Sequence, residues 1–339
     1  MEQQSSPQEQ LGRMITGYWI SAAVYVAAKL GIADLLKDGP VPVETLAKKT
    51  GMHAPSLYRL LRALASVGIF EEQDQQRFQL TPLAELLRGN VPGSQRAFAI
   101  MICEECYHAF GDLMSSVRTG KPSFDKLFGK PIFSYLQDHP DKAATFDAAM
   151  VGIHGRETAA MLDAYDFSGI RNLTDVGGGN ASLMCEVLRR HPHLRGTVFD
   201  LPGPVERAKH SIETAGLNSR CTTIGGSFFE SVPGGGDAYL LRHIIHDWDD
   251  DKAIAILRNV RKAMSDRGGK LLLVESVIPS GNDPAFGKLL DLTMLIGPGG
   301  KERTEQEFRQ LYEASGFRLT RIIPTASDVS VIEGEPAKV

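Results

Sequence analysis

Cysteine is scarce, with 4 in 339 residues. That count excludes a disulfide-stapled scaffold and fits a reducing, cytoplasmic setting. Cys103-Glu104-Glu105-Cys106 has redox or zinc spacing, but no second pair accompanies it, so it reads as two thiols on a helix. An excess of basic charge is also missing: 37 Lys and Arg stand against 41 Asp and Glu, a net charge of −4. A general nucleic-acid binder needs a basic footprint, so no nucleic-acid partner is expected. No apolar run approaches the roughly 18 residues of a membrane span, so no membrane partner is expected either. Residues 1–10 lack the basic and apolar regions of a signal peptide and read as a disordered tail.

What is present describes a globular chain, 42% hydrophobic and 23% charged, long enough for about two domains. Apolar residues recur at helical spacing over 11–36. Within 40–50, Val43-Glu44-Thr45-Leu46-Ala47 reads as a short helix ended by Gly51, and a second helix follows over 54–67. Residues 68–72 and 77–80 then read as two strands joined by a polar turn. Helix, helix, hairpin is the winged-helix pattern. Its would-be recognition helix carries only Arg59 and Arg62 among apolar residues, too few donors to read a groove, so a protein–protein surface is the better reading. Residues 85–149 read as helices broken at Pro and Gly pairs, locally aromatic at Phe124, Phe128, Phe133 and Tyr135. Met150 and His154 then share one helix face.

From Leu173 onward strands and helices alternate, which gives a doubly wound α/β sheet. Its first unit is a strand ending in Asp175-Val176, a turn at Gly177-Gly178-Gly179, a helix over 182–190, and a strand over 196–199 that leads into Asp200. Glycines let the backbone approach a ligand, and the helix N-terminus offers free N–H groups to an anion. Asp200 follows at the roughly 20-residue offset where an acid meets ribose hydroxyls. Ser182 stands where a dinucleotide fingerprint needs its third glycine, and no Lys-Ser/Thr pair follows the turn, so neither a dinucleotide nor a P-loop ligand fits. A ligand with an adenosine and a carboxylate but no pyrophosphate fits, and S-adenosylmethionine is of that kind.

His246, Glu275 and Glu302 fall past strand ends or in loops on the same rim. A histidine there can act as a general base, with glutamates orienting it and stabilising its charged form. A structural histidine is the competing reading of His246, and solvated charge that of Glu302. His243 and His246 are spaced like metal ligands, but no third ligand stands at a telling distance, so no metal is expected.

Four blocks together are more specific than the glycine turn: Asp175-Val176-Gly177-Gly178-Gly179, Phe199-Asp200-Leu201-Pro202, His246-Asp247-Trp248, and Gly299-Gly300-Lys301-Glu302-Arg303-Thr304. On them the chain resembles the large S-adenosylmethionine-dependent O-methyltransferases of the plant caffeate and hydroxyindole type, with their bacterial counterparts in pigment and antibiotic pathways. The resemblance covers nearly the whole chain. It implies a Rossmann-like S-adenosylmethionine-binding domain over 166–339, preceded by a winged-helix-like dimerisation domain over 11–105 and a helical bridge lining the substrate pocket over 106–165. It also implies a homodimer through the N-terminal domain, with the partner subunit helping to close the pocket. His246 then takes the proton from a substrate hydroxyl, flanked by Glu275 and Glu302. Gly177 and Gly179 approach the methionine part of the cofactor, with Asp175 beside them. Asp200 meets the ribose, Ser227 and Phe228 the adenine, and Leu201 and Arg242 contact the cofactor. Met150, His154, Asp247 and Met294 are the expected substrate contacts. S-adenosyl-L-homocysteine is the expected product.

Two positions depart from the family pattern. Ala181 replaces a frequent glycine, which a small residue should tolerate, and Ser227 stands where an acid usually meets the adenine. The expected activity is methyl transfer to a small aromatic hydroxyl. The alternatives are decarboxylation or hydroxylation on the same fold and cofactor, or a small-molecule-responsive winged-helix regulator.

Overall fold

Helix starts are fixed by side chains that satisfy the first free N–H groups, and the first helix begins in this way. The computed structural model describes residues 6–264 and 269–337. Within it, helix α1 (Pro7–Lys29) opens on a reciprocal capping box. The Glu9 N–H donates to Ser6 Oγ at 3.3 Å and the Ser6 N–H to Glu9 Oε2 at 2.8 Å. Residues 7–10 are therefore helical, which corrects the disordered tail expected over 1–10. The local signal for this start is the Ser-x-x-Glu signature with Pro at the first helical position. Residues 1–5 of that tail lie outside the described residues, as does Gly268 of a turn expected at Gly268-Gly269.

The chain forms two compact units. The first comprises residues up to 108 together with 141–153. After α1 come β1 (Val41–Pro42), α2 (Val43–Thr50), α3 (Ala54–Ala65), β2 (Phe70–Gln73) and β3 (Arg77–Leu80). The strands pair antiparallel in the order β1-β3-β2. Leu46, Leu57, Leu61, Phe70 and Phe78 close a core between the helices and this hairpin. One stripe of α1 stays outside it: Leu11, Met14, Ile15, Tyr18 and Trp19 are all exposed. The Cys103–Cys106 stretch is a π-helical turn rather than a regular helix. Glu104 in that turn binds Tyr25, Lys29 and Lys142.

Helix α4 (Pro140–Ala164) passes from the first unit into the second at residue 154. The second unit holds residues 109–140 and 154 onward, so the segment 106–165, expected as one bridge, is shared between the two units. The second unit is built on a seven-stranded sheet in the order β6-β5-β4-β7-β8-β10-β9. Its strands are β4 (Asn172–Val176), β5 (Arg195–Asp200), β6 (Cys221–Gly225), β7 (Ala238–Arg242), β8 (Lys270–Glu275), β9 (Phe317–Pro324) and β10 (Ser330–Pro336). All neighbours are parallel except β10, which runs antiparallel to both β8 and β9. The connecting helices are α5 (Ser182–Arg190), α6 (Pro202–Thr214), α7 (Asp250–Ala263), α8 (Phe286–Ile296) and α9 (Glu305–Ala314). The central strands are continuous apolar runs, as parallel strands covered on both faces must be: Tyr239 to Leu241 and Leu271 to Val274 are buried. This is a Rossmann-like α/β fold. The chain winds from β4 to β6 on one side and returns to β7 on the other. The carboxyl ends of β4 and β7, paired at Asp175 and Leu240, therefore form the switch point where such sheets bind ligands. Among the described residues no helix is long and apolar enough to cross a membrane.

Candidate functional site

The turn after β4 is shaped by close approaches. Gly177 has φ +78°, and a Cβ there would lie 2.4 Å from Ile244 Cδ1. A Cβ on Gly178 would lie 2.8 Å from Asp175 Oδ2. The Gly179 N–H donates to Asp200 Oδ2 at 2.8 Å, and the Leu201 N–H to Asp200 Oδ1 at 2.6 Å. The acid at the end of β5 is thus tied to the glycine turn. Ala181 holds φ +67° as the N-cap of α5, which explains why a glycine suits that place and sets a cost of about 1 kcal/mol for alanine. Asp175 is buried, and burial pushes its carboxyl up to about 7 against the opposing pull of Arg242. Its Oδ2 accepts no hydrogen bond among the described residues. Arg242 donates to Thr158 Oγ1 at 2.6 Å. Ser227 and Phe228 are half-buried beyond β6, with the Phe228 ring edge-on to Trp248 at 6.1 Å.

His246 sits on a single 3₁₀ turn, Ile245–Asp247, just past β7. It is buried, and its Nδ1 lies 2.7 Å from Glu302 Oε1 and 3.7 Å from Glu275 Oε2. Its Nε2 lies 3.6 Å from Asp247 Oδ1. Burial alone would discharge this imidazole; Glu275, Asp247 and the bond to Glu302 outweigh it and raise the ring to about 10. Burial also raises the acids, Asp247 to about 7 and Glu275 upward, each held back by His246. Glu275 ends β8, and its Oε1 accepts the N–H groups of Ile244 and Ile245 at 3.1 and 2.9 Å. Glu302 is only 3% exposed, so solvated charge does not describe it. Its own N–H donates to Asp291 Oδ1 at 2.8 Å.

The structure therefore brings His246, Glu275, Glu302 and Asp247 together. His154 lies beside them in the same unit, its ring stacked on His243 at 4.3 Å and 13°. Burial and the neighbouring His243 push the His154 imidazole well below its ordinary value. Met294 is buried on α8, and Met150 is a half-buried residue of α4 within the first unit. Three further residues, which the sequence pattern does not single out, hold this arrangement. Arg303, wholly buried, donates to the carbonyls of Ile245, Trp248 and Lys301 and to Asp250, clamping the His246 turn. Gly300 packs so closely that a Cβ would lie 2.1 Å from the His246 carbonyl oxygen. Glu157 bonds His243 Nε2 at 2.8 Å; its spacing of three from His154 on a helix was the available signal. Glu157 also supplies the third donor missing beside His243, and His154, Glu157 and His243 form a three-donor group. The near-parallel rings of His154 and His243 aim their lone pairs along separate planes, which does not suit one ion. A second group, His243, His246 and Glu275, includes an imidazole whose Nδ1 is engaged by Glu302.

Residues 110–318 match the family model of the O-methyltransferase domain, and residues 13–89 that of the O-methyltransferase dimerisation domain. The chain belongs to the O-methyltransferase family. The methyltransferase is 48% identical over 324 residues to the phenazine O-methyltransferase PhzM of Lysobacter antibioticus, across 96% of this chain and 95% of that one. It superposes on the crystal structure of LaPhzM with a TM-score of 0.95 at 48% identity, covering 98% and 100% of the two chains. NcsB1 from neocarzinostatin biosynthesis, solved with S-adenosylmethionine and 2-hydroxy-5-methyl naphthoic acid, matches with a TM-score of 0.81 at 34% identity over 93% and 95%. In the methyltransferase, the span 110–318 contains the glycine turn, Asp200, His246, Glu275 and Glu302.

Proposed function

We propose that the methyltransferase moves a methyl group from S-adenosylmethionine to a hydroxyl of a small aromatic acceptor in bacterial secondary metabolism, with His246 as general base. The observation that carries this is the 2.7 Å bond from His246 Nδ1 to Glu302. In the neutral ring Nδ1–H donates to this carboxylate, which leaves Nε2 as the atom that takes the substrate proton. The acceptor class is supported by the phenazine and naphthoate names of the relatives.

The turn fits the cofactor. Gly177 and Gly179 take the positive φ that a tight turn needs, and the buried Asp175 oxygen has no hydrogen-bond partner among the described residues. Gly177 and Gly179 would hold the methionine part, Asp200 and Leu201 the ribose, and Ser227 and Phe228 the adenine, with Arg242 and Asp175 behind the turn. S-adenosylmethionine, when bound, supplies an electrophilic methyl on a sulfonium. A phenol of pKa about 10 is mostly protonated at neutral pH and a weak nucleophile. His246 acts as base in its neutral form, and Glu275 and Glu302, which help raise the ring to about 10, stabilise the imidazolium that forms. His154, Asp247 and Met294, all in the second unit, are the proposed substrate contacts. The complete His246, Glu275 and Glu302 set favours methylation over decarboxylation or hydroxylation. No metal enters this scheme.

The first unit is read as a winged-helix-like homodimerisation module, supported by the family match over 13–89, the helix–helix–hairpin order and the exposed apolar stripe of α1. The test is His246→Ala, assayed for S-adenosylhomocysteine formation with a panel of aromatic hydroxyl compounds led by 1-hydroxyphenazine. Methyl transfer should be abolished while calorimetry shows cofactor binding retained. Near-normal turnover of an acceptor used by the wild type would remove His246 from the mechanism.

A further inference from the structure

His243 has no part in the reaction as derived, yet its placement is costly. It directly follows β7 and holds φ +52°, a left-handed conformation that side chains with a Cβ disfavour. The ring lies between two other histidines, stacked on His154 at 4.3 Å and tilted 41° to His246 at 5.0 Å. Its Nε2 is bonded to Glu157 at 2.8 Å. Its Nδ1 is buried, has no hydrogen bond among the described residues, and lies 3.8 Å from Glu275 Oε2. That same oxygen lies 3.7 Å from His246 Nδ1 and likewise has no hydrogen bond among the described residues, while its twin Oε1 is pinned by two backbone N–H groups. One carboxylate oxygen thus faces two imidazole nitrogens at equal range. Whatever charge either ring carries is therefore set against the same acid, and the two ring centres are only 5.0 Å apart.

We propose that His243, anchored by Glu157, competes with His246 for the Glu275 carboxylate and so sets how firmly His246 keeps its proton. The functional meaning rests on His246 being the base: three acids crowd around it, and a base that never releases its proton cannot accept another. His243 is then a positioning residue acting through Glu275. The charged and titratable groups facing it are Glu157 and His154 from α4, Glu275 from β8 and His246 from the 3₁₀ turn, while Arg242, the preceding residue, is engaged by Thr158. His154 is kept uncharged by burial and serves as a neutral platform for the ring.

The test is a titration of the full chain labelled with ¹⁵N-histidine, the His246 signals being assigned by their loss in His246→Ala. His243→Asn removes the competitor while keeping a residue that tolerates left-handed backbone. The His246 midpoint should rise by about one pH unit. Glu157→Gln should raise it too, because His243 loses its anchor, and Glu157→Asp should restore the wild-type midpoint. The sign in Glu157→Gln decides between mechanisms, since loss of a nearby negative charge acting only through space would lower the midpoint. An unchanged midpoint in His243→Asn, or a fall in Glu157→Gln, overturns the proposal. Should His243→Asn fail to fold, as read from a thermal melt, the sign in Glu157→Gln decides alone. Methyl transfer surviving in His246→Ala would instead remove the base assignment and leave the measured coupling intact.

Discussion

Replacing Gly300 with alanine tests whether the His246 turn is held to the tolerance that base catalysis needs. A Cβ built on Gly300 lies 2.1 Å from the His246 carbonyl oxygen, 2.3 Å from the Asp247 carbonyl carbon and 2.4 Å from the Trp248 nitrogen. All three are backbone atoms, so no side chain can rotate away. Restoring ordinary contact requires the turn and the Gly300 loop to separate by about 1 Å. The same loop carries Glu302, whose bond to His246 is 2.7 Å long. A further ~1 Å takes that pair beyond hydrogen-bond range. A misplacement of about 1 Å costs on the order of 100-fold in rate, or roughly 2.7 kcal/mol. The overpacking itself should cost about 1–3 kcal/mol of stability. The assay is kcat/KM from S-adenosylhomocysteine formation with 1-hydroxyphenazine, or the best acceptor of the panel. It is paired with calorimetric titration of S-adenosylhomocysteine, whose proposed contacts at Gly177, Gly179 and Asp200 lie on other loops. The expected outcome is a large loss of kcat/KM with binding little changed. A folded Gly300→Ala protein with kcat/KM within about threefold of wild type would refute the reasoning, because the ~1 Å displacement could not then have mattered.

Three further outcomes are expected. His246 holds its proton up to about 10 against a free value of 6.5, so its contribution to stability is fully present below about pH 6.5 and is lost as pH rises towards about 10; between pH 6 and 10 the melting temperature of His246→Gln should fall less than that of wild type, and parallel curves would contradict this. Arg303→Met keeps the volume but leaves the carbonyls of Ile245, Lys301 and Trp248 without their donor. A loss of about 3 kcal/mol in urea denaturation is expected, mostly from those carbonyls because Asp250 is itself half-exposed, and an unshifted midpoint would show that the clamp is dispensable. Trp19→Glu places a charge within the exposed stripe of α1 and should turn a homodimer into a monomer in sedimentation, so an unaltered dimer would exclude this stripe from the interface.

The βαβ unit was legible because each signal in it is local: apolar strand residues, three consecutive glycines, and a helix of amphipathic period. The bounds of α5, Ser182–Arg190, coincide with the periodic stretch. The early hairpin was legible for the same reason. The start of α1 was legible in principle, since Ser6 and Glu9 are three residues apart. What stayed hidden depends on chain closure. Glu157 meets His243 across 86 residues, and no periodicity relates them. Glu302 meets His246 across 56 residues, and only the resemblance joined them before the fold was known. The strain at Ala181 was half-visible: the departure from glycine could be read, but the left-handed backbone could not.

The block Gly299 to Thr304 shows why a spacing motif carries more than its individual residues suggest. Gly300 lets the loop touch the backbone of the His246 turn. Lys301 pairs with Asp250 at 2.9 Å and Glu307 at 3.2 Å. Arg303 takes the other oxygen of Asp250 and the turn's carbonyls. Thr304 closes a capping box with Glu307 that starts α9. The two cations thereby neutralise the acids at the starts of α7 and α9, and Glu302, placed between them in sequence, points its carboxylate at His246 instead. Swapping Lys301 and Glu302 would preserve the composition and the net charge of the block, yet it would set a cation against the imidazole and leave Asp250 and Glu307 beside a third acid. The order of the charges, not their number, is what makes this loop a partner for a base.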